Sequence, residues 1–572
     1  MVTMATSAAA VAAVMSGPGP VPSPAPARAA PRQHPAALIA FESPERRRAF
    51  EFYRRCAVPV LDGISGGDFW GGVVLRLSLT EPVVRHALLA VSGFMEFAMA
   101  ADSSRHLQQR NAGFQEYGKA IFALRTWDSE SRSAVIPLLV CLLFTCIEFL
   151  LEQDAASQLH ICQGRKILYD LCASHSFGLD MIRTELVPIY TRLSLASFFF
   201  GSRPVPIPRH LKGTKTIPSV LTSMTEARTH LYFLIDEALR FSTQAKPTIH
   251  TRAPAMGDLH VLGALQQDLL SRLSHWNTAF AVLATTCARP PNDLAAAAAA
   301  AQSLLRIYHL AAVVWTSTAL QPHETAYDAH LAAFSSIVSH ATFILRCRAP
   351  PSRLPSFTFE TELIPPLYWT ASKCRHPLLR RAALRLLMND QLKDRRENLW
   401  HGQETIAVAA RAIEMEETKL KLRQSVGVDA MPEPELDAVP PGLVDGHGLM
   451  PPTQPPGMAT LALDRVARVR GEFDESSRQK RHPSVSSSPS TSIPVDSHTT
   501  VVTTAAMNDT RLHSPYGIPE NRRIKIMTIG QREKDGVWIT VVRYPIHGET
   551  SWNVIKELLR LPAVASNGGR VG

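Results

Sequence analysis

The eight cysteines are the residues of this chain best suited to bind a metal ion or to act as nucleophiles. No two of them are separated by only two residues, so the spacing of a zinc-ligand knuckle does not occur. His340 and Cys347 fall in one helical region, but no third polar group is placed to orient them for catalysis. We therefore expect a core thiol near a surface imidazole. We also expect a reducing compartment, because a long chain with a large core needs no disulfide.

Carboxylates and glycine-rich loops are the other groups that could carry chemistry. Glu360 and Glu362 could form an acid–base pair, but their segment ends at Pro365-Pro366, which favours a solvated loop. No Walker-type phosphate loop, no dinucleotide-binding G-x-G-x-x-G and no H-E-x-x-H metal motif occurs. We predict that the chain is not an enzyme, and we assign it no catalytic residue, no cofactor and no metal ion. An enzyme of unrecognised type stays an alternative.

Residues 134–151 form the most apolar segment of the chain, and a charged side chain within it needs a polar partner. Its length suits a bilayer span, but Pro137 and Glu148 favour a buried core helix. A carboxylate in so apolar a run needs a hydrogen-bond partner. His160 follows on the next predicted helix, so we hypothesise that Glu148 and His160 hydrogen-bond across the helix pair. Gly164 would allow those helices to approach closely.

Helical periodicity dominates the chain from residue 41 to about 425. Ser43-Pro44-Glu45 has the residue types of an N-cap, a first-turn proline and an acid that suits the helix dipole. Thr80-Glu81-Pro82 repeats this signal, and Val84, Leu88 and Val91 then recur at helical spacing. Alternating, strand-like patterns are nearly lacking. The pattern predicts an all-α fold, a large multi-helix domain without a fixed-period repeat.

Three arginines mark the helix that the sequence predicts to begin at Pro377, shortly after Cys374. Arg380, Arg381 and Arg385 flank its apolar stripe. We expect them to form a solvated or ion-paired face rather than a phosphate site. Cys374 precedes this helix and is interpreted as a core residue, not as a nucleophile.

Strand-like alternation returns only near the C-terminus. Ranges 524–528 and 537–541 alternate, and Asp535-Gly536 suits a turn between them, which predicts a β-hairpin. We expect Ser551 to cap a short helix over 552–559. A two-stranded hairpin is marginal alone, so it should pack on the helical body.

Composition divides the chain into four expected parts. The Ala/Pro-rich start and a Pro/Ser/Thr-rich stretch cannot bury enough apolar surface to fold. The net charge of +10 is a mild excess and fits nucleic acid or acidic partners without identifying one. The expected parts are a disordered N-terminus (1–40), a helical domain (41–425), a disordered linker (426–518) and a C-terminal hairpin with a short helix (519–572).

Several local motifs follow one another in a recurrent order. An aromatic helix over 50–53 precedes Phe69-Trp70 and a Glu-Pro helix start, and an apolar helix pair comes next. The segments 364–387 and 399–417 then carry an Ile-Pro-Pro helix, a Cys-Arg step and an acidic helix end. This order resembles the fungal-specific transcription factor domain, the regulatory body of binuclear zinc-cluster transcription factors. The likeness covers roughly 41–425 and 515–560, and the positions matching the family's structural core are Phe69, Trp70, Glu148, His160, Gly164, Cys374, Arg380 and Trp400.

The resemblance implies a nuclear regulator of RNA polymerase II transcription whose partners are the transcription machinery or other regulators. A homodimer is compatible with the family, and no membrane association is expected. In this family a six-cysteine cluster holding two zinc ions reads DNA, whereas residues 1–40 contain no cysteine. Zinc would belong to that missing module, so we expect DNA to be reached through partners or through a module outside this chain.

One alternative to transcription regulation is a helical protein-interaction scaffold without direct DNA binding. A short basic cluster, Arg478, Lys480 and Arg481, lies beside the Ser-rich run and is compatible with nuclear import or with docking controlled by phosphorylation.

Overall fold

The structure is a computed structural model that describes residues 43–64, 66–99, 103–127, 133–171, 178–199, 205–213, 216–249, 255–286, 292–348, 356–417, 516–533, 536–543 and 552–561. These residues form a helical body with a small C-terminal β-sheet, which confirms the predicted fold class. The segment 1–40 and most of 426–518, where the sequence predicts disorder, lie outside the described residues. The basic cluster Arg478, Lys480 and Arg481 lies outside them too.

The N-terminal half of the body is a group of helices around one apolar core. Ser43 caps the first helix, its hydroxyl accepting a hydrogen bond from the Arg46 N–H (3.3 Å), as the sequence predicts. The helices are α1 (Pro44–Phe52, continued by a π-turn over Tyr53–Ala57), α2 (Val58–Asp62), a π-turn (Phe69–Val74), α3 (Leu75–Thr80), α4 (Pro82–Met99), α5 (Ser103–Arg125), α6 (Val135–Leu150), α7 (Asp154–Asp170), α8 (Leu179–Met181, continued by a π-turn over Ile182–Leu186), α9 (Val187–Phe199) and α10 (Arg209–Lys212).

The C-terminal half of the body surrounds a second apolar core. Trp276, Tyr308 and Trp369 are among its large buried side chains. Its elements are α11 (Met224–Ile249), α12 (Met256–Thr286), α13 (Asn292–Thr318), a 3-10 helix (Glu324–His330), α14 (Leu331–Cys347), β1 (Phe357–Thr358), α15 (Ile364–Lys373), α16 (Pro377–Leu387), β2 (Arg396–Glu397), β3 (Trp400–His401) and α17 (Gly402–Glu417).

The segment 356–363 joins the two cores, and this location overturns the expected solvated loop at Glu360 and Glu362. Phe357 and Phe359 pack into the first core, whereas Leu363 packs into the second. Strand β1 pairs with β2, which in turn pairs with β3. Because both faces of the segment are covered, its carboxylates are enclosed and need partners within the protein.

The C-terminal sheet contains the predicted hairpin and one strand that the sequence analysis assigned wrongly. Strand β4 (Ile524–Glu533) pairs antiparallel with β5 (Gly536–Arg543), as expected. The short helix expected over 552–559 is instead β6 (Asn553–Arg560), which pairs antiparallel with β5. The segment carries both periodicities, and the exposed edge of β5 supplies backbone partners that favour the strand.

The sheet packs on the helical body, as predicted. Val537, Ile539 and Val541 form a small third core with Val408 and Ala412 of helix α17. The sheet thereby buries the apolar face that a two-stranded hairpin alone would leave in water.

Two helices are apolar enough to raise the question of a membrane span. Helix α6, within the segment interpreted as a core helix, is buried along nearly its whole length, which confirms that interpretation. The helix window Ala295–Thr318 is the one described segment that meets the length and hydropathy of a span, and 61% of it is buried. It lies against helices α11, α12 and α14, as a core helix does.

Candidate functional site

A polar cavity lies between the two halves of the body. It has a volume of about 190 Å³ and is bounded by the loop after α2, the start of α9, the start of α11 and the joining segment at Glu360. Its lining residues are Asp62, Gly66, Gly67, Asp68, Phe69, Trp70, Thr184, Glu185, Pro188, Ile189, Arg192, Thr225, Arg228, Thr229 and Glu360. We refer to this set as the polar cavity.

A buried carboxylate fixes the loop that forms one wall of the polar cavity. Helix α2 ends at Gly63, whose φ of +62° is strained for any residue with a side chain. The Ile64 N–H donates a 2.7 Å hydrogen bond to Glu362 Oε1. Glu362 is itself held by Arg348 and Arg395. Burial by itself would raise the pKa of Glu362. The charges of the two arginines outweigh this effect and keep the pKa below its ordinary value.

Aromatic packing fixes the other end of the same loop. The Phe69 and Trp70 rings meet edge to face at 5.0 Å, and Trp70 meets Phe359 in the same way at 4.9 Å. Two residues of the family resemblance therefore serve as the floor of the cavity and join the loop to the segment that carries Glu360.

The charges of the polar cavity are unevenly paired. Arg192 binds Glu360 through two nitrogens, with N–O distances of 2.8–3.0 Å. The guanidinium of Arg228, in contrast, forms no hydrogen bond or ion pair with any described residue although only 9% of the residue is exposed. Burial, followed by the charge of Arg192, lowers the pKa of Arg228 to about 10. Burial and the neighbouring Glu360 raise the pKa of Asp62 to about 7.

Asp62 and Arg228 face a common point in the cavity. A Cβ placed on Gly67 would lie 3.6 Å from Asp62 Oδ1 and 3.6 Å from Arg228 Nη2. The two atoms are therefore within about 7 Å of each other, yet they form no ion pair. Both side chains line the polar cavity.

Sequence reasoning missed Asp62, Arg192 and Arg228, because they come from segments far apart in the chain. One signal was available: Gly63–Gly67 has the G-x-S-x-G spacing of a nucleophile elbow. That motif requires a strand before the serine, whereas here it follows helix α2, and Ser65 lies outside the described residues. No histidine is among the described lining residues, so the arrangement suits binding better than acyl transfer.

A second cluster of charges, which we call the C-terminal clamp, joins the chain end to the helical body. Glu416 accepts hydrogen bonds from Arg375 (2.9 Å), Arg380 (2.8 Å) and the Ile524 N–H (2.7 Å). All three charged side chains are buried. Burial alone would raise the pKa of Glu416, but the charges of the two arginines hold this pKa at about 2.

The clamp extends to the 3-10 helix Glu324–His330. Arg523 forms a two-nitrogen ion pair with Asp328, at 2.9 and 2.6 Å. Glu520 accepts hydrogen bonds from the Glu324 and Thr325 N–H groups, at 2.6 and 2.9 Å. Every strong charge of this cluster therefore meets an opposite charge or a backbone donor.

The arginines of α16 differ in burial and therefore in their environment. Arg380 is fully buried in the clamp. Of the two environments that the sequence predicts, solvated or ion-paired, only the ion-paired one applies to this residue. Arg381 is exposed and pairs with Glu417. Cys374 is buried beside these groups, and burial raises the pKa of its thiol to about 11, which suits a core residue. Trp400 is buried with its ring 5.4 Å from that of Tyr368.

Glu148 forms a hydrogen bond, but its partner is not His160, so the predicted pairing is wrong. Glu148 accepts a 2.6 Å hydrogen bond from the Tyr117 hydroxyl, whereas His160 Nε2 lies 4.0 Å away. The closer donor comes from α5, a helix that the sequence argument did not consider. Gly164 makes room for the ring of Tyr190, which occupies the space that a Cβ would need. Glu148, His160 and Gly164 line a helix interface and do not reach the polar cavity.

The expected arrangement of His340 and Cys347 is also wrong. The imidazole of His340 is buried, and burial lowers its pKa to about 4, whereas Cys347 is the more exposed of the two. The reason is that His340 lies on the face of α14 that packs into the second core. Within the described ranges, no group of three or more His, Cys, Asp or Glu side chains is arranged to hold a metal ion.

Comparisons with protein-family models, with curated proteins and with solved structures found no match to this chain.

Proposed function

We propose that the protein is a transcriptional regulator of the fungal zinc-cluster type, represented here by its regulatory body. It acts in the nucleus on RNA polymerase II transcription, together with the transcription machinery or other regulators. DNA is reached through partners or through a module outside this chain. Zinc belongs to such a module, and the chain itself acts by docking and control rather than by catalysis.

One observation carries the proposal beyond the resemblance of the motifs. Glu417, which pairs with Arg380, and Ile524, whose N–H donates to Glu416, both lie at the C-terminal clamp. The described residues on either side of the Pro/Ser/Thr-rich stretch are therefore anchored at one site of the helical body. A segment of Pro/Ser/Thr-rich composition between two such anchors is suited to phosphorylation and to docking of regulators.

A tethering experiment tests the proposal. The full chain is fused to a DNA-binding domain of known operator, and a reporter behind that operator is measured in fungal cells. We expect nuclear accumulation and a reporter level different from that of the DNA-binding domain alone. A matched fusion lacking 426–515 should lose most of the effect. A full-length fusion that reaches the nucleus and leaves the reporter unchanged would contradict the proposal.

Two further measurements test its parts. Deletion of 478–482 should reduce nuclear accumulation if the basic cluster is the import signal, and unchanged accumulation would remove it from that role. Tight binding of the purified chain to a defined operator would contradict indirect DNA recognition.

A second candidate, a protein-interaction scaffold, is favoured by an exposed apolar row on α5. Leu107, Phe114 and Ile121 are spaced seven residues apart and exposed, and Phe122 beside them is 70% exposed. Such spacing suits contact with another helix, including that of a second copy. Light scattering of the Leu107→Gln/Phe122→Gln protein should give a monomer mass if this row makes a homodimer. Leu378→Gln, at a separate exposed leucine, is the control.

A further inference from the structure

The unpaired charges of the polar cavity point to a ligand. We propose that the cavity binds a small zwitterion of the α-amino-acid type, with its carboxylate on Arg228 and its ammonium group against Asp62. This binding is a property of the purified chain, and it stands or falls independently of the role in transcription.

Arg228 supplies the reason for a carboxylate. The residue is more than nine-tenths buried and its guanidinium has no hydrogen bond or ion pair within the described part of the chain. Arg192, which also lines the cavity, has its full two-nitrogen partner in Glu360. Removing a guanidinium from water without an opposing charge is costly, and a planar carboxylate matches its fork of donors. None of the described carboxyl groups that line the cavity forms that ion pair with Arg228.

The acids of the cavity supply the reason for an ammonium group. Asp62, Asp68, Glu185 and Glu360 outnumber the two arginines of the lining. Since Glu360 is paired with Arg192, the described lining residues leave three carboxyl groups and the guanidinium of Arg228 without an ion pair. A dianion such as phosphate would therefore meet repulsion, whereas a ligand that adds one positive and one negative charge meets complementary groups on both sides.

The geometry suits charges carried on neighbouring atoms of one small molecule. Asp62 Oδ1 and Arg228 Nη2 lie within about 7 Å of each other around the backbone of Gly67. A ligand whose ammonium and carboxylate groups share one carbon can reach both. Trp70 and Ile189 provide an apolar wall for a side chain, and the threonine hydroxyls nearby offer further hydrogen bonds.

The volume limits the ligand's size. The cavity's 190 Å³ equals the share of roughly six water molecules in the liquid. A single amino acid with a small or medium side chain is of this order of size.

Thermal shift and calorimetry on the purified full chain test the proposal. The probes are the individual L-amino acids, with acetate and inorganic phosphate as simple anions. For the tightest amino acid, the N-acetyl derivative and the carboxamide each remove one charge. We expect at least one amino acid to bind, and each capped derivative to bind at least about tenfold more weakly. The proposal is overturned if no amino acid binds, or if acetate, phosphate or the N-acetyl derivative binds as tightly.

Two variants assign the charges. Arg228→Gln keeps donors but removes the charge, and it should weaken the amino acid at least about tenfold. Asp62→Asn should bring the affinities of the amino acid and its N-acetyl derivative together. Arg385→Gln, at an exposed arginine on α16, is the control and should bind as the parent does. Circular dichroism confirms folding, and a folded Arg228→Gln protein with unchanged affinity would refute the site.

Discussion

The C-terminal clamp and the polar cavity are built from the same residue types but differ in how completely their charges are paired. In the clamp, Glu416 meets two arginines and a backbone donor, and all of them are buried. In the cavity, Arg228 and Asp62 approach the same point without forming an ion pair. A cluster whose charges are ion-paired holds two parts of the chain together, whereas one with unpaired charges has unused binding capacity. The two clusters therefore differ in how their charges are paired and not in the types of residue that carry them.

The largest effect should come from breaking the clamp. Glu416→Ala leaves Arg375 and Arg380 buried without their shared carboxylate, and we expect it to lower the free energy of unfolding by about 3–5 kcal/mol. Glu414→Ala is the control on the same helix, because Glu414 is 63% exposed in its ion pair with Arg411. Urea denaturation measures both. Equal losses in the free energy of unfolding of the two proteins would show that the clamp does not stabilise the contact between the C-terminal segment and the helical body.

The glycine of the cavity loop should give the next effect. A Cβ at Gly63 would lie 2.6 Å from Glu362 Oε1, whereas a Cβ at Gly66 meets no atom within 4 Å, and both glycines have φ near +60°. Gly63→Ala should therefore cost about 1–3 kcal/mol more than Gly66→Ala. Both substitutions share the positive φ, and the Gly63 substitution adds the contact with Glu362. If both substitutions cost the same by chemical denaturation, Glu362 does not constrain the loop.

Replacing one arginine of each cluster by methionine should change the stability of the protein in opposite directions. Arg380→Met removes a buried partner of Glu416 and should cost about 3 kcal/mol. Arg228→Met removes an unpaired buried charge and should leave stability unchanged or raise it by about 1 kcal/mol. Thermal denaturation without added ligand measures both. A large loss for Arg228→Met would mean that its charge is already satisfied in the folded chain.

The smallest effect concerns pH. The pKa of Asp62 is about 7 in the folded protein, above its ordinary value of 3.8, because of burial, Glu360 and Asp68, against Arg228 and Arg192. The folded state therefore holds a proton that the unfolded state loses between about pH 4 and 7. This carboxyl group should make stability fall as pH rises through that window and level off above it. Asp62→Asn should lose that part of the slope in denaturation curves taken across the window. An unchanged slope would argue against the raised pKa.

Local patterns were enough to predict the helical class and the positions of many elements. The cap at Ser43, the core helix α6 and the hairpin strands follow from residue types at short spacing, and these parts of the prediction are confirmed. Strand β6 was wrong because Trp552–Leu559 suits both a helix and a strand, and its pairing with β5 decided between them.

Partners of charged residues were predicted much less well. Glu148 was correctly expected to need a partner, but Tyr117 occupies that position instead of His160. Glu360 and Glu362 were expected in solvent because proline follows them, yet their segment is enclosed between two cores. Identity as a transcriptional regulator stays a prediction, since it depends on the order of the motifs.

The amino-acid sequence alone determined the helical class and many of the helical segments, because helical periodicity, capping and burial of one face act between residues a few positions apart. Tertiary structure alone decided that Glu416 holds the returning chain at Ile524 and that Asp62 and Arg228 face one cavity. Those groups lie far apart in sequence and meet only through the packing of several helices. Charge pairing depends on distance and burial in space, which no local pattern records.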